Sequence, residues 1–210
     1  VNRDVTASWI LVAGSLAAIV AAFVAEGRGY FPSALYQTHV QCPGSDRPFP
    51  IPVLDEFERD WYVSHLRSLD EPSLWRASQS GDGRFEVRFT WLRSFHPTVV
   101  VKVSETTEGA ILVAKESTGL GGYDAGEINR TARRTLAPAE LAALKASLDD
   151  ATRLSAINCE LGLDGAAWII ESRDAGNYTY QNRWSPRDGA VNRFGLEMIA
   201  LTGWTFADVY

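Results

Sequence analysis

A chain of 210 residues with a net charge of -6 and a pI near 5.1 has room for one well-filled core but not for two. It also lacks the clustered Lys and Arg that a nucleic-acid surface needs to displace counterions. At 46% hydrophobic and 22% charged residues, it is neither disordered nor wholly membrane-embedded.

Residues 6–25, TASWILVAGSLAAIVAAFVA, carry no charge. At 1.5 Å per residue, about twenty such residues cross ~30 Å of hydrocarbon. Trp9 near one end, with Tyr30 and Phe31 past the other, suits amphipathic rings at two interfaces. Residues 1–27 therefore read as a single N-terminal transmembrane anchor. The competing reading is a cleaved signal peptide, which would leave the protein secreted, with Val20-Ala21-Ala22 as its best cleavage site. Arg3 and the amino group outweigh Asp4, which keeps the N-terminus inside and places the rest outside the cytoplasm. Residues 28–52 read as a Pro-rich linker: QCPGSDRPFPIP holds four prolines, a stiff spacer.

Residues 53–210 read as one α+β domain. In VLDEFERDWYVSHLRSL, Leu54, Phe57, Trp61, His65 and Leu69 recur at helical spacing, which predicts an amphipathic helix with that stripe inward, closing at Glu71-Pro72. After SGDG the period becomes two. Phe85, Val87, Phe89 and Trp91 alternate with polar residues, as in a half-buried strand. HPTVVVKV and AILVAKES continue an antiparallel meander, and residues 128–136, polar and carrying Arg130, Arg133 and Arg134, suit an edge strand. PAELAALKASLDDATRL returns to helical period, with Leu141, Leu144, Leu148 and Ala151 as its stripe. A hairpin then turns at Asp174-Ala175-Gly176-Asn177. Ser185, Pro186 and Asp188 predict the cap and first turn of a last helix ending at Gly203. Helices on one face of an antiparallel sheet, meander plus hairpin, is the expected architecture.

ESTGLGGYDAGEINR places four glycines between a strand and the edge strand. Asp124 stands where a dinucleotide fingerprint needs its last glycine, no Gly-Lys-Ser/Thr follows, and the spacing of an EF-hand is absent. The stretch reads as a connection that uses positive φ. No H-E-x-x-H, C-x-x-C or G-x-S-x-G occurs, and His39, His65 and His96 lie in unlike contexts, so neither a metal nor another cofactor is expected. Asp124, Glu127, Asp164 and Glu171 are the candidate carboxylates for acid–base work. Cys42 and Cys159 are candidates for a disulfide, with two buried thiols as the alternative.

GLDGAAWIIE (residues 162–171), then Tyr178 or Tyr180, then NRWSP (182–186), with GLGGYDAGE upstream, resembles a family of bacterial exported or membrane-anchored proteins to which no activity is assigned. The resemblance covers residues 89–210 and implies a bacterial source, hence a periplasmic domain on an inner-membrane anchor. It carries no catalytic residue across. Glu171 is expected to pair with an Arg of the neighbouring strand, for example Arg183. Tyr178, Tyr180, Arg183 and Trp184 have the composition of an interface hot spot and are the candidate binding residues.

Three functions fit. The leading one is a membrane-tethered extracytoplasmic accessory or interaction domain without catalysis, engaging a protein partner in the envelope. It predicts an exposed aromatic patch and no cleft with convergent titratable groups. An exported hydrolase using carboxylates near Asp124 and Asp164 predicts acids gathered in one concave pocket. An envelope inhibitor or immunity protein is the third.

Overall fold

The computed structural model describes residues 29–42, 50–153, 159, 162 and 164–210. The expected anchor lies outside these residues, and among them no helix is long and apolar enough to cross a membrane. In chain order the elements are α1 (Ser33–Gln37), β1 (His39–Val40), β2 (Ile51–Pro52), α2 (Glu56–Ser68), α3 (Leu74–Ser78), β3 (Glu86–Arg93), β4 (Val99–Thr106), β5 (Gly109–Ser117), β6 (Ile128–Leu136), α4 (Pro138–Thr152), β7 (Ala166–Asp174), β8 (Asn177–Trp184) and α5 (Gly189–Leu201).

The fold is α+β. Six antiparallel strands run in the order β6-β5-β4-β3-β7-β8. Successive strands β3 to β6 form the meander, and the β7–β8 hairpin docks on the other side of β3 through the crossover helix α4. The hairpin turn uses Ala175 (φ 46°) and Gly176 (φ 83°), the positive angles of a two-residue type I′ loop. Polar β6 is an edge strand, as its composition requires.

Helices cover both faces of the sheet, which corrects the expectation of one covered face. On the first face, Val87, Phe89, Trp91, Val101, Leu112 and Trp168 pack against Leu144 and Leu148 of α4 and Phe194 and Met198 of α5. On the second, Leu92, Val100, Ala167 and Ile169 pack against Tyr62, Val63 and Leu66 of α2. Strand β3 is consequently buried on both sides rather than half-buried, and its polar residues must find partners inside. Arg88 is fully buried, and its guanidinium donates to Glu171 Oε2 from Nε (3.0 Å) and Nη2 (2.6 Å) and to the Pro72 carbonyl from Nη1 (2.7 Å). Glu171 thus pairs with an Arg of a neighbouring strand, as expected, but with Arg88 of β3 rather than Arg183 of β8. Burying both strands left no solvated position for its carboxylate.

Residues 29–42 and 50–52 are not a free spacer either. Tyr30 and Phe31, expected at a membrane interface, are buried in the second core with Val53 and Leu54. Tyr30 Oη donates to the Glu71 carbonyl. Residues β1 and β2 pair, so the domain begins at or before Gly29. The last helix also starts later than expected. Ser185 (φ 39°) uses its Oγ to accept from Ala166 N (2.9 Å), closing the hairpin instead of capping, and the helix begins at Gly189.

Cys42 and Cys159 form a disulfide across a sequence separation of 117 residues. A closed loop of that length removes much unfolded-state entropy. Cys42→Ala is expected to lower the unfolding free energy by about 2–4 kcal/mol, measured by urea denaturation without reductant. Equal stability of variant and wild type would refute a structural role for the bridge.

Candidate functional site: an aromatic and acidic cleft

Helix α2 sets the site. Asp55 and Glu58 form a capping box: Glu58 N donates to Asp55 Oδ1 (2.8 Å) and Asp55 N to Glu58 Oε2 (3.2 Å). The helix is rotated from the expected orientation. Tyr62, Val63, Leu66 and His65 face inward, whereas Phe57 is 74% exposed and Trp61 stands half-buried at the rim. The stripe at Phe57 and Trp61 competes with one at Tyr62, Leu66 and Leu69, and the larger continuous apolar surface went to the sheet. Packing leaves the two aromatics outside.

The glycine-rich loop forms the opposing wall. It connects β5 and β6 as expected, and it is tied down on two sides. Gly121 N and Gly122 N donate to the His96 and Ser94 carbonyls (3.0 and 2.9 Å). From α2, Trp61 Nε1 donates to the Gly121 carbonyl (2.6 Å) and Ser68 Oγ to that of Ala125 (3.2 Å). A Cβ on Gly121 would lie 2.3 Å from Arg93 O, so close backbone approach fixes that residue; only Gly126 of this loop needs positive φ (63°).

Between these walls opens a cleft of about 740 Å³. Among the rings that line it, four form two pairs: Phe57 with Trp61 (centroids 6.0 Å) and Phe95 with Tyr123 (6.3 Å). Tyr123 is 71% and Phe95 47% exposed. Asp55, Glu58, Asp60, Asp124 and Asp164 supply its carboxylates, and among the described residues no Lys or Arg lines it. Three of these acids are engaged: Asp55 and Glu58 cap α2, and Asp60 binds Arg59 (2.7 Å). Asp124 and Asp164 are exposed. Burial pushes the Glu58 carboxyl up, with its cap bond to Asp55 opposing.

His65 sits beneath the cleft, 2% exposed. Its Nδ1 is 2.9 Å from Thr98 Oγ1. Burial pulls its pKa down to about 4, while the Gly121 carbonyl and Asp124 act the other way. The ring is neutral, and its bond to Thr98 ties α2 to the start of β4.

The other expected site residues disperse. Asp124 and Asp164 meet in the cleft, but Glu127 lies outside it and Glu171 is locked to Arg88. Tyr180 is buried, and Tyr178 Oη donates to Glu171 Oε1 (2.8 Å). The hairpin aromatics thus serve the core, correcting their assignment to binding, and Arg183 donates to the Asn182 carbonyl. Only Trp184 reaches the cleft. The GLDG and RWSP segments prove to be one unit: a Cβ on Gly162 would lie 2.0 Å from Trp184 Nε1, and one on Gly165 2.4 Å from Ser185 Oγ. Glycine lets the indole lie against the backbone. Among the described residues no group of three His, Cys, Asp or Glu could hold a metal. The expectation of no titratable cleft fails: aromatic patch and carboxylates occupy one depression.

The chain matches no protein-family model, no curated protein and no solved structure.

Two outcomes follow. Gly121→Ala should cost about 1–3 kcal/mol, as overpacking does, whereas Asp124→Asn should change stability by less than ~0.5 kcal/mol; urea denaturation measures both, and the reverse ranking would contradict a wall fixed by backbone packing. His65 binds protons more readily unfolded than folded, so its contribution is full above the unfolded pKa of about 6.5 and is lost as pH falls towards 4. Thermal melts between pH 7 and 4 should show wild type losing stability more steeply than His65→Gln, while parallel curves would contradict the assignment.

Proposed function

We propose that this protein is a membrane-tethered extracytoplasmic interaction domain, without catalysis, that holds a protein partner of the cell envelope in the aromatic cleft. The observation that carries the reading is the exposure of Phe57, Tyr123 and Phe95 around one concave surface. Soluble chains seldom expose contiguous large aromatics without a use for them, and aromatic anchors in a depression are the usual centre of an interface. The extracytoplasmic placement is supported by the Cys42–Cys159 bridge, since disulfides persist in oxidising compartments. It is supported further by the uncharged residues 6–25 and by the resemblance to bacterial exported proteins, which favours an inner-membrane anchor and a periplasmic domain.

The titratable groups of the cleft argue for binding over chemistry. His65 is buried beneath the cleft and bonded to Thr98, and Glu58, whose carboxyl burial raises, is committed to the helix cap. A hydrolase is the second reading, favoured by one observation: Asp124 and Asp164 line the same cleft. It requires a hydrolytic activity on envelope polymers that Asp124→Asn or Asp164→Asn abolishes.

A photo-crosslinking amino acid placed at Tyr123 in living cells should give a discrete adduct. The same substitution at Glu108, in the exposed β4–β5 turn, should give none. Adducts at both positions or at neither would count against the cleft as the interaction site.

A further inference from the structure

The charge around the rings narrows what the cleft accepts, on the reading that it is an interaction site. Among the described residues, five carboxylates line it and no Lys or Arg does. Arg59 offsets Asp60 through bonds of 2.7 and 3.0 Å and also reaches Glu56 at 3.8 Å. Asp124 and Asp164 keep their charge available. Neither has a hydrogen-bonding or ion-pairing partner among the described residues, and both stand in solvent on separate segments, the glycine-rich loop and the turn before β7. An anionic ligand would be repelled, and a neutral one would leave this excess unused.

The rings are suited to the same charge. An aromatic face is the negative end of a quadrupole and attracts a cation within about 6 Å of its centroid. The chain makes this contact internally: Arg93 Cζ lies 4.2 Å from the Trp91 centroid and Arg130 Cζ 4.1 Å from that of Trp204. In the cleft the exposed rings of Phe57, Phe95 and Tyr123 come with carboxylates on the neighbouring backbone. Ring faces bind the guanidinium or the aliphatic stem, and the acids neutralise the head.

We propose that the cleft docks a Lys- or Arg-bearing peptide segment of its partner, with Phe57, Phe95 and Tyr123 receiving the cationic side chains and Asp124 and Asp164 as their counter-charges. An adjoining depression of about 620 Å³ shares Phe95 and Asp164 with the cleft and carries Arg187, which sets the end of the acidic run. The basic stretch should therefore be short.

The test uses the full chain in an uncharged detergent, titrated by calorimetry with hexa-arginine, hexa-glutamate and an uncharged N-acetylglucosamine hexasaccharide. Hexa-arginine should bind saturably at one site. Asp124→Asn/Asp164→Asn and Phe57→Ala/Tyr123→Ala should each weaken it at least tenfold. Asp149→Asn/Asp150→Asn, the same charge change on exposed positions of α4, should leave it within twofold. Hexa-glutamate and the oligosaccharide should not bind. No saturable binding, equal loss in the α4 variant, or preference for the oligosaccharide would each overturn the proposal. If the Tyr123 adduct forms in cells and hexa-arginine does not bind, only the basic partner is refuted. If the adduct is missing as well, the interaction reading falls with it.

Discussion

The buried pair of Arg88 and Glu171 is the constraint on which the rest of the arrangement turns. Two adjacent strands, β3 and β7, are covered on both faces, and each brings a charged side chain into the covered layer at a directly paired register position. A charge so placed is tolerable only if its partner and its remaining hydrogen bonds are both supplied. Glu171 Oε2 takes two guanidinium donors, Tyr178 satisfies Oε1, and the Pro72 carbonyl takes the remaining arm of Arg88. Glu71 adds a second carboxylate 3.7 Å away, itself held by Lys102 (2.9 Å) and Lys115 (2.7 Å). The nearby ammonium and guanidinium groups keep the Glu71 carboxyl below its usual range although burial alone would raise it.

This network reaches the cleft through α2. Residues 71 and 72 immediately follow that helix, so the ion pairs fix its C-terminal end against the sheet. His65 ties its last turn to Thr98, and Asn182 Nδ2 donates to Tyr62 Oη at its middle (3.0 Å). Held at three levels, the helix cannot roll to bury Phe57 and Trp61. The exposed rings are then a consequence of what the inner face must satisfy, and the glycine-rich loop, hung from the outer edge of the same helix, completes the opposite wall. A rigid scaffold presenting aromatics on one helix and one short loop is the kind of surface that binds with little ordering cost.

Much of the fold was legible from period alone. The meander, the polar edge strand, the hairpin turn and the helices at 56–68 and 138–152 follow from alternation, helical spacing and turn chemistry. Coverage was not. Alternation in RFEVRFTWLRSF looks the same whether Arg88 meets water or a buried carboxylate, because the sequence pattern shows which side a residue faces and not what lies there. The stripe of α2 was misread for a related reason. Aromatic residues at positions 57 and 61 and at position 62 give two overlapping faces, and only the sheet decides between them. For the cleft, the Asp124 and Asp164 stretches were visible as glycine-flanked acids, but their meeting depends on the order β4-β3-β7, which local patterns do not contain. The D-x-x-E signal at Asp55 and Glu58 was available and marks where α2 begins. Tyr178 and Tyr180 misled because an aromatic pair on a hairpin has the same composition whether it faces a partner or fills a core.

A double-mutant cycle on the central pair tests the account most directly. Arg88→Met and Glu171→Leu, singly and together, would be compared with wild type by urea denaturation at pH 7. Each single change strands a buried charge and should cost about 3–5 kcal/mol, while the double change should cost well under the sum, a coupling of at least ~2 kcal/mol. Additive losses, or single variants as stable as wild type, would contradict a sheet organised around that pair.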